Sequence, residues 1–252
     1  MNRLNAEIRP GDGTPVVLLH GFGGDARLWR PIIERLPKET GVIAYDLPGH
    51  AGSVDFPDAG PPRLAAEAIV ADLAEREVAR AHLVGHSMGG AIAVLAALAA
   101  PSLVASLTLL APGGFGPEIN APLLRRFADA DSAQEIGDCF ASMARRDLDI
   151  GQADWEAAWQ LRQVEGQTAM LRKIVALITR NDRQGVIPSQ ALAAIEAPVS
   201  VLWGEEDPIV PFSQTANLPQ RFELVRLAAT GHMLLDEAPD EVAKMIAARL
   251  SR

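Results

Sequence analysis

Short apolar runs alternate along this chain with longer stretches whose apolar residues recur every three or four positions. The runs Pro15–His20, Gly41–Asp46, Ala81–Gly85, Ser106–Leu110, Val199–Trp203 and Glu223–Leu227 are rich in leucine and β-branched residues. Several are apolar throughout, as strands of a parallel sheet covered on both faces must be, whereas half-exposed strands alternate. Helical spacing occupies Pro62–Arg80, Met88–Ala100 and Pro239–Leu250. In the last of these Val242, Met245, Ile246 and Arg249 fall on neighbouring turns, behind Asp236 and Pro239 as start signals. Strand and helix in alternation predict an α/β fold with a mostly parallel, doubly wound sheet, and Leu4–Arg9 adds an antiparallel edge strand.

One stretch breaks the rhythm. From Gly113 to Ala197 no strand is legible, but helical patterns are, including Met170, Leu171, Ile174, Val175, Leu177 and Ile178. A connection of about 80 residues far exceeds the usual two to six. It is expected to be an all-helical cap, residues 113–197, inserted into a core made of residues 1–112 and 198–252. Such a cap would roof the C-terminal ends of the strands, where open α/β sheets bind ligands. Its sets Leu123, Leu124 and Phe127, Phe140 and Met143, and Trp155 and Trp159 can each form one apolar face. Some of these residues must hold the cap together. The remainder are expected to line an apolar acyl pocket, with Arg125, Arg126, Arg145 and Arg146 on the solvated side.

Composition narrows the partners. The 252 residues are 48% hydrophobic and 22% charged, which suits one globular unit with a sizeable core. A net charge of −9, without a run of Lys or Arg, disfavours nucleic acid and anionic membrane surfaces as partners. Cys139 has no second cysteine to pair with, which fits a reducing compartment, and between Asp138 and Phe140 it reads as a small buried hydrophobe. Pro10-Gly11-Asp12-Gly13 stands where a secretory signal would need an apolar stretch. The apolar tract Ala91–Ala111 is interrupted by Pro101-Ser102, so neither half reaches the roughly 18 residues of a membrane span. A cytoplasmic location is the expectation.

The chemistry concentrates at the ends of the strands. Gly85-His86-Ser87-Met88-Gly89 follows the run Ala81–Gly85 and opens an apolar helix, the strand–turn–helix setting of a nucleophilic serine. Glycines at 85 and 89 are needed because side chains there would collide with neighbouring backbone in so sharp a turn. A serine hydroxyl is a weak nucleophile and needs a base. His232, in Thr230-Gly231-His232, follows the last strand and is the candidate. Of the carboxylates in Trp203-Gly204-Glu205-Glu206-Asp207-Pro208, Asp207 is chosen to orient it, with Glu206 as the alternative. The turn His20-Gly21-Phe22-Gly23-Gly24 is the place for a backbone donor to a developing oxyanion: Phe22 is expected to supply one N–H, and Met88 the other. Phe22, Trp29, Phe127 and Phe140 are the expected substrate-binding residues. His86 is expected to pack and hydrogen-bond beneath the serine, His50 to stabilise its loop, and His82 to lie at the surface. No Gly-x-x-x-x-Gly-Lys, dinucleotide fingerprint or metal-ligand spacing occurs, so no cofactor and no metal are expected.

Taken together, His20–Gly24, Asp46-Leu47-Pro48-Gly49-His50, Gly85–Gly89, Asp207 and Gly231-His232 resemble the α/β-hydrolase fold family, in its serine branch, over nearly the whole chain. The stretch Leu109–Asn120 resembles, more narrowly, the hydrolase-like domain of acetoin dehydrogenase acetyltransferase components. No lipoyl-bearing domain precedes it in this sequence, so the resemblance does not make the chain a subunit of such a complex. One position departs from the pattern: similar proteins usually carry Gly after the loop histidine, where this chain has Ala51. The resemblance implies an enzyme that cleaves a carboxylic ester or thioester of a small molecule through an acyl-serine. Carbon–carbon bond hydrolysis and acyl transfer on the same residues are alternatives, and a non-catalytic binding module is a third.

Overall fold

The computed structural model of the chain describes residues 3–145 and 151–250. Seven strands, β1 (Ala6–Arg9), β2 (Asp12–Leu19), β3 (Thr40–Tyr45), β4 (Ala81–His86), β5 (Val104–Leu110), β6 (Val199–Gly204) and β7 (Glu223–Leu227), form one sheet in the order β1-β3-β2-β4-β5-β6-β7. Only β1 runs antiparallel, as an edge on β3; every other neighbour pair is parallel. Val16–Leu19 pair with Val42–Tyr45 on one side and His82–Gly85 on the other, and apart from half-buried His82 these central runs are buried and apolar. The fold is therefore an α/β fold with a mostly parallel sheet.

Helices α1 (Arg30–Arg35), α2 (Pro62–Glu75) and α3 (Met88–Ala99) join the first strands. α2 and α3 pack on each other. The sequence pattern carried α2 on to Arg80, but the helix stops at Glu75. Val78 N–H bonds the Leu73 carbonyl and Glu77 N–H the Ala74 carbonyl, with Glu77 at φ 59°. This is a Schellman turn with Glu in the left-handed position usually held by Gly, so the usual stop signal is missing from the sequence.

Between β5 and β6 lie α4 (Ala121–Asp129), α5 (Ala133–Met143), α6 (Gln152–Arg162), α7 (Gln167–Ile178) and α8 (Ser189–Ala194). Among the described residues this stretch adds no strand to the sheet; its one strand-like contact is an isolated bridge, Glu118 to Arg183. α4 packs on α5 and α7, and α5 on α6, whereas α8 returns to α3. Trp155 lies so close over Gly137 that a Cβ there would sit 2.8 Å from its ring, so this tryptophan joins α6 to α5. Cys139 is buried in α5. The chain closes with α9 (Leu234–Glu237) and α10 (Pro239–Leu250), and α10 packs on α1. Among the described residues, no helix is long and apolar enough to cross a membrane.

The strand order positions the site. From β2 the chain steps outward to β3, then returns to β4 on the other side of β2. Loops leaving β2 and β4 therefore diverge, and the crevice between them is the topological switch point of the sheet.

Candidate active site

The loop after β4 places Ser87 at φ 51°, ψ −115°, a conformation a non-glycine residue adopts only when its surroundings impose it. They do so here. A Cβ at Gly85 would lie 2.3 Å from the Gly89 carbonyl oxygen, and one at Gly89 would lie 2.2 Å from the Leu19 oxygen. Ser87 N–H donates to the Leu110 carbonyl at 2.9 Å, and the Ser87 carbonyl accepts from Gly113 at 2.9 Å. Both neighbours of the turn are thus backbone, and the serine stands at the N-terminus of α3.

The loop after β2 runs against this elbow. A Cβ at Gly21 would meet His86 Nδ1 at 3.0 Å and Ser87 Cβ at 3.4 Å. His20 holds the loop in shape. Its Nε2 accepts the Leu47 N–H at 3.0 Å, which leaves the proton on Nδ1, donated to the Gly21 carbonyl at 2.7 Å. Asp46 accepts from Ala26 N–H at 2.9 Å and Gly52 N–H at 3.0 Å, and so ties this loop to the next one. Gly23, at φ 75°, is covered by the cap: a Cβ there would lie 2.4 Å from the Phe127 ring.

His232 follows β7. Its Nδ1–H donates to Asp207 Oδ2 at 2.7 Å, and both side chains are buried. The other oxygen of Asp207 accepts the N–H groups of Ile209 at 2.8 Å and Val210 at 2.9 Å, which fixes the carboxylate plane. Glu205 is taken up by Arg226 instead, at 2.8 Å, and Glu206 is exposed. His86 packs beside the pair, its ring centroid 4.9 Å from that of His232, and its Nε2–H donates to the His232 carbonyl at 2.8 Å. Burial, with His232 nearby, pushes the His86 imidazole down to about 3. It therefore stays neutral beside His232. Burial and the neighbouring His20 likewise push His50 down to about 3, and burial lowers His20.

Ser87 and His232 face one cavity of about 270 Å³. Its walls are apolar: Phe22 from the β2 loop, Leu124 and Phe127 from α4, Phe140 and Met143 from α5, and Leu161 from α6. Phe127 is held from behind by Arg162. The guanidinium lies 4.7 Å from the ring centroid and donates to the carbonyls of Phe127 at 2.8 Å and Ala128 at 3.3 Å. Burial lowers this arginine to about 10. Arg27, Leu28 and Arg30 stand at the exposed rim, and the two arginines are paired with Asp25 and Glu7. Among the described residues, no group of His, Cys, Asp and Glu has the geometry to hold a metal ion.

The structure thus brings Ser87, His232, Phe22, Phe127 and Phe140 to one cavity, with Asp207 behind His232 and Met88 at the first position of α3. Trp29 is a correction. It is 0% exposed and belongs to the core, because the single turn Ala26–Trp29 buries positions 26 and 29 and leaves Arg27 and Leu28 toward the cavity. His82 is half-buried rather than at the surface, bonded to Ser106 Oγ at 2.8 Å. Arg125 and Arg126 pair with Asp182, Glu135 and Asp138 on the solvated side of the cap, and Arg145 is exposed; Arg146 lies outside the described residues. Sequence reasoning missed Leu161, Arg162 and Gln167. Gln167 is buried and joins cap to core, accepting from Ala51 N–H at 2.7 Å and donating to the Gly49 carbonyl at 3.1 Å. A polar residue opening a helix carries no signal that it will be buried.

A serine on a glycine-framed elbow, a histidine bonded to a buried aspartate and a shared cavity at a sheet switch point describe a hydrolase-type α/β fold. Comparison with known proteins agrees: the model of the Alpha/beta hydrolase family matches residues 16–245, and the chain belongs to that family. It is 35% identical, over 98% of its length, to the dihydrolipoyllysine-residue acetyltransferase component of the acetoin cleaving system of Pseudomonas putida. It is 31% identical, over 89% of its length, to the same component from Cupriavidus necator. The chain spans 66% and 60% of these two relatives. It is also 23% identical, over 94% of its length and 76% of the relative's, to a monoacylglycerol lipase of Mus musculus. Among solved structures, a meta-cleavage product hydrolase from Pseudomonas fluorescens superposes with a TM-score of 0.86 at 21% identity, covering 98% of this chain and 93% of that one, a likeness of fold.

Proposed function

We propose that this protein hydrolyses a small carboxylic ester or thioester with an apolar acyl group, through an acyl-Ser87 intermediate. The observation that carries the reading is the pairing of a strained Ser87 with the His232–Asp207 hydrogen bond on one apolar cavity. His232 Nε2 takes the Ser87 proton as Oγ attacks the carbonyl carbon. The carbonyl π electrons move to the oxygen, which the N–H groups of Phe22 and Met88 stabilise. The intermediate collapses as His232 returns the proton to the leaving oxygen or sulfur. Water, deprotonated by the same imidazole, then releases the acid and restores Ser87. Asp207 holds the tautomer and stabilises the imidazolium without accepting the proton.

The test uses p-nitrophenyl esters and acyl thioesters together with a fluorophosphonate probe. Turnover and labelling are expected, and Ser87→Ala should lose both while keeping its unfolding midpoint. An alanine variant that still takes the probe would assign the nucleophile elsewhere. The 35% identity to an acetyltransferase component favours a second reading, acyl transfer to a thiol. An acyl-thioester product formed on adding a thiol acceptor, in place of free acid, would select it.

A further inference from the structure

Glu237 ends the single turn of α9, outside the constellation described above. Its carboxylate gathers three backbone donors: Met233 N–H to Oε1 at 2.9 Å, Gly231 N–H to Oε2 at 2.8 Å and Arg145 N–H to Oε2 at 3.0 Å. The first two residues flank His232, and the third leaves the C-terminal end of α5. At the same seam the His232 N–H donates to the Met143 carbonyl at 2.9 Å. A Cβ on Gly231 would sit 2.7 Å from Ala144 C and Arg145 N. The backbone that carries the base is therefore held on both sides by one carboxylate and pressed directly against the cap.

We propose that Glu237 is a positioning residue for His232, tying its loop to the end of the cap helix whose Phe140 and Met143 wall the cavity. Charge and shape both matter. An ionised carboxylate offers about four lone-pair sites and no donor, so it can hold three N–H groups at once. An amide in its place has one acceptor oxygen and turns an N–H₂ toward at least one of those donors. The loop must then shift. His232 has to reach Asp207 and Ser87 together, and a misplacement of about 1 Å in such a site costs on the order of 100-fold in rate. The kinetic consequence rests on the acyl-serine reading; the positioning itself does not.

Two measurements on Glu237→Gln and Glu237→Asp test the idea. One is the steady-state kinetics on the ester panel. The other is the far-downfield proton resonance of the His232 Nδ1–H shared with Asp207, read alongside the thermal midpoint. Glu237→Gln is expected to fold, to lose about 30-fold in kcat with KM within about twofold, and to broaden or lose the resonance. Glu237→Asp keeps the charge but falls one methylene short, and should lose less. Wild-type kcat with a sharp resonance in Glu237→Gln, or a loss confined to KM, overturns the proposal. If Glu237→Gln does not fold, the same outcomes in Glu237→Asp decide it. A wild-type protein that turns over no ester or thioester, while its resonance still responds to Glu237→Gln, refutes the reaction and leaves the positioning role standing.

Discussion

Residue 51 shows how a single departure from a family pattern becomes a physical statement. Ala51 sits at φ 44°, in the left-handed region where a Cβ crowds the following carbonyl. Its N–H is held there by Gln167, so the conformation is imposed by the cap contact. Ala51→Gly should relieve the strain, offset in part by the greater freedom of glycine in the unfolded chain, and stabilise the protein by about 0.5–1 kcal/mol. Urea titrations of the two proteins check this; a lower midpoint for the glycine variant would mean the strain is absent. Asp207 makes the opposite kind of claim, about activity. Asp207→Asn keeps the two acceptor bonds to Ile209 and Val210 within reach but favours the wrong imidazole tautomer. On the acyl-serine reading it should lower kcat by about 10⁴, the loss that follows when the aspartate of a Ser-His-Asp triad becomes an amide, with little change in stability. The same exchange at Glu206, exposed and with its N–H on the Thr230 carbonyl, should matter little. A crippled Glu206→Gln would reassign the acid. Ser87, Asp207 and His232 were legible because each follows a strand, in the chain order this fold demands. Glu237 was not, because its role is to bind backbone N–H groups, which leave no trace in side-chain identity.

Elements were legible where burial is uniform along them. The inner strands β3, β4, β5 and β6 are almost entirely buried and could be placed within a residue or two; β2 was placed with an N-terminus three residues late, because Asp12 and Gly13 are exposed, and β1, half-exposed at the edge, with an N-terminus two residues early. That helices fill the stretch between β5 and β6 was legible because amphipathic spacing survives in α4, α5 and α7. Phe127 and Phe140, named from the sequence for substrate, do line the cavity; which of the other apolar residues join them was not legible, since an apolar stripe looks the same against a neighbouring helix or a substrate. The structure divides them: Leu124, Phe127, Phe140 and Met143 face the cavity, while Trp155 joins α6 to α5. Phe127 is also packed edge-on to Phe22 at 6.1 Å and backed by Arg162, so the cavity wall on this side is fixed rather than open-ended. A wall of this kind rewards acyl carbon atoms at about 0.8 kcal/mol per methylene buried. Lengthening the acyl chain of a neutral p-nitrophenyl ester from two carbons to four should therefore raise kcat/KM roughly tenfold. A flat series would remove the apolar-pocket reading. So would a preference for dicarboxylic monoesters that depends on Arg125, which points away from the cavity and into an ion pair with Asp182.

On the scale of the whole molecule, the histidines tie stability to pH. His50 and His86 are buried, 1% and 8% exposed, and both are pushed down to about 3 from an ordinary 6.5. His20, fully buried, is lowered as well. A base whose value falls on folding binds fewer protons in the native state, so stability rises with pH wherever the unfolded chain is protonated and the folded one is not. The contribution is complete above about pH 6.5 and is lost as pH falls through the window from 6.5 toward 3. At pH 5 each of His50 and His86 should have removed about 2 kcal/mol, and His20 adds in the same direction. Domains of this kind are stable by only about 5–15 kcal/mol, so the loss is a large share of the whole. The excess of carboxylates, which gives a net charge of −9, does not offset it down to pH 5. Ordinary carboxylates are half-protonated near pH 4 and still mostly ionised at pH 5, and their mutual repulsion across the surface is screened within about 8 Å at physiological salt. Denaturant titrations at pH 7.5 and pH 5 should show a stability lower by about 4 kcal/mol or more at the acid end, and His50→Asn should flatten the slope by nearly one proton. Equal stability at the two pH values would mean these imidazoles accept protons inside the fold and that the cap and loops around them open to water.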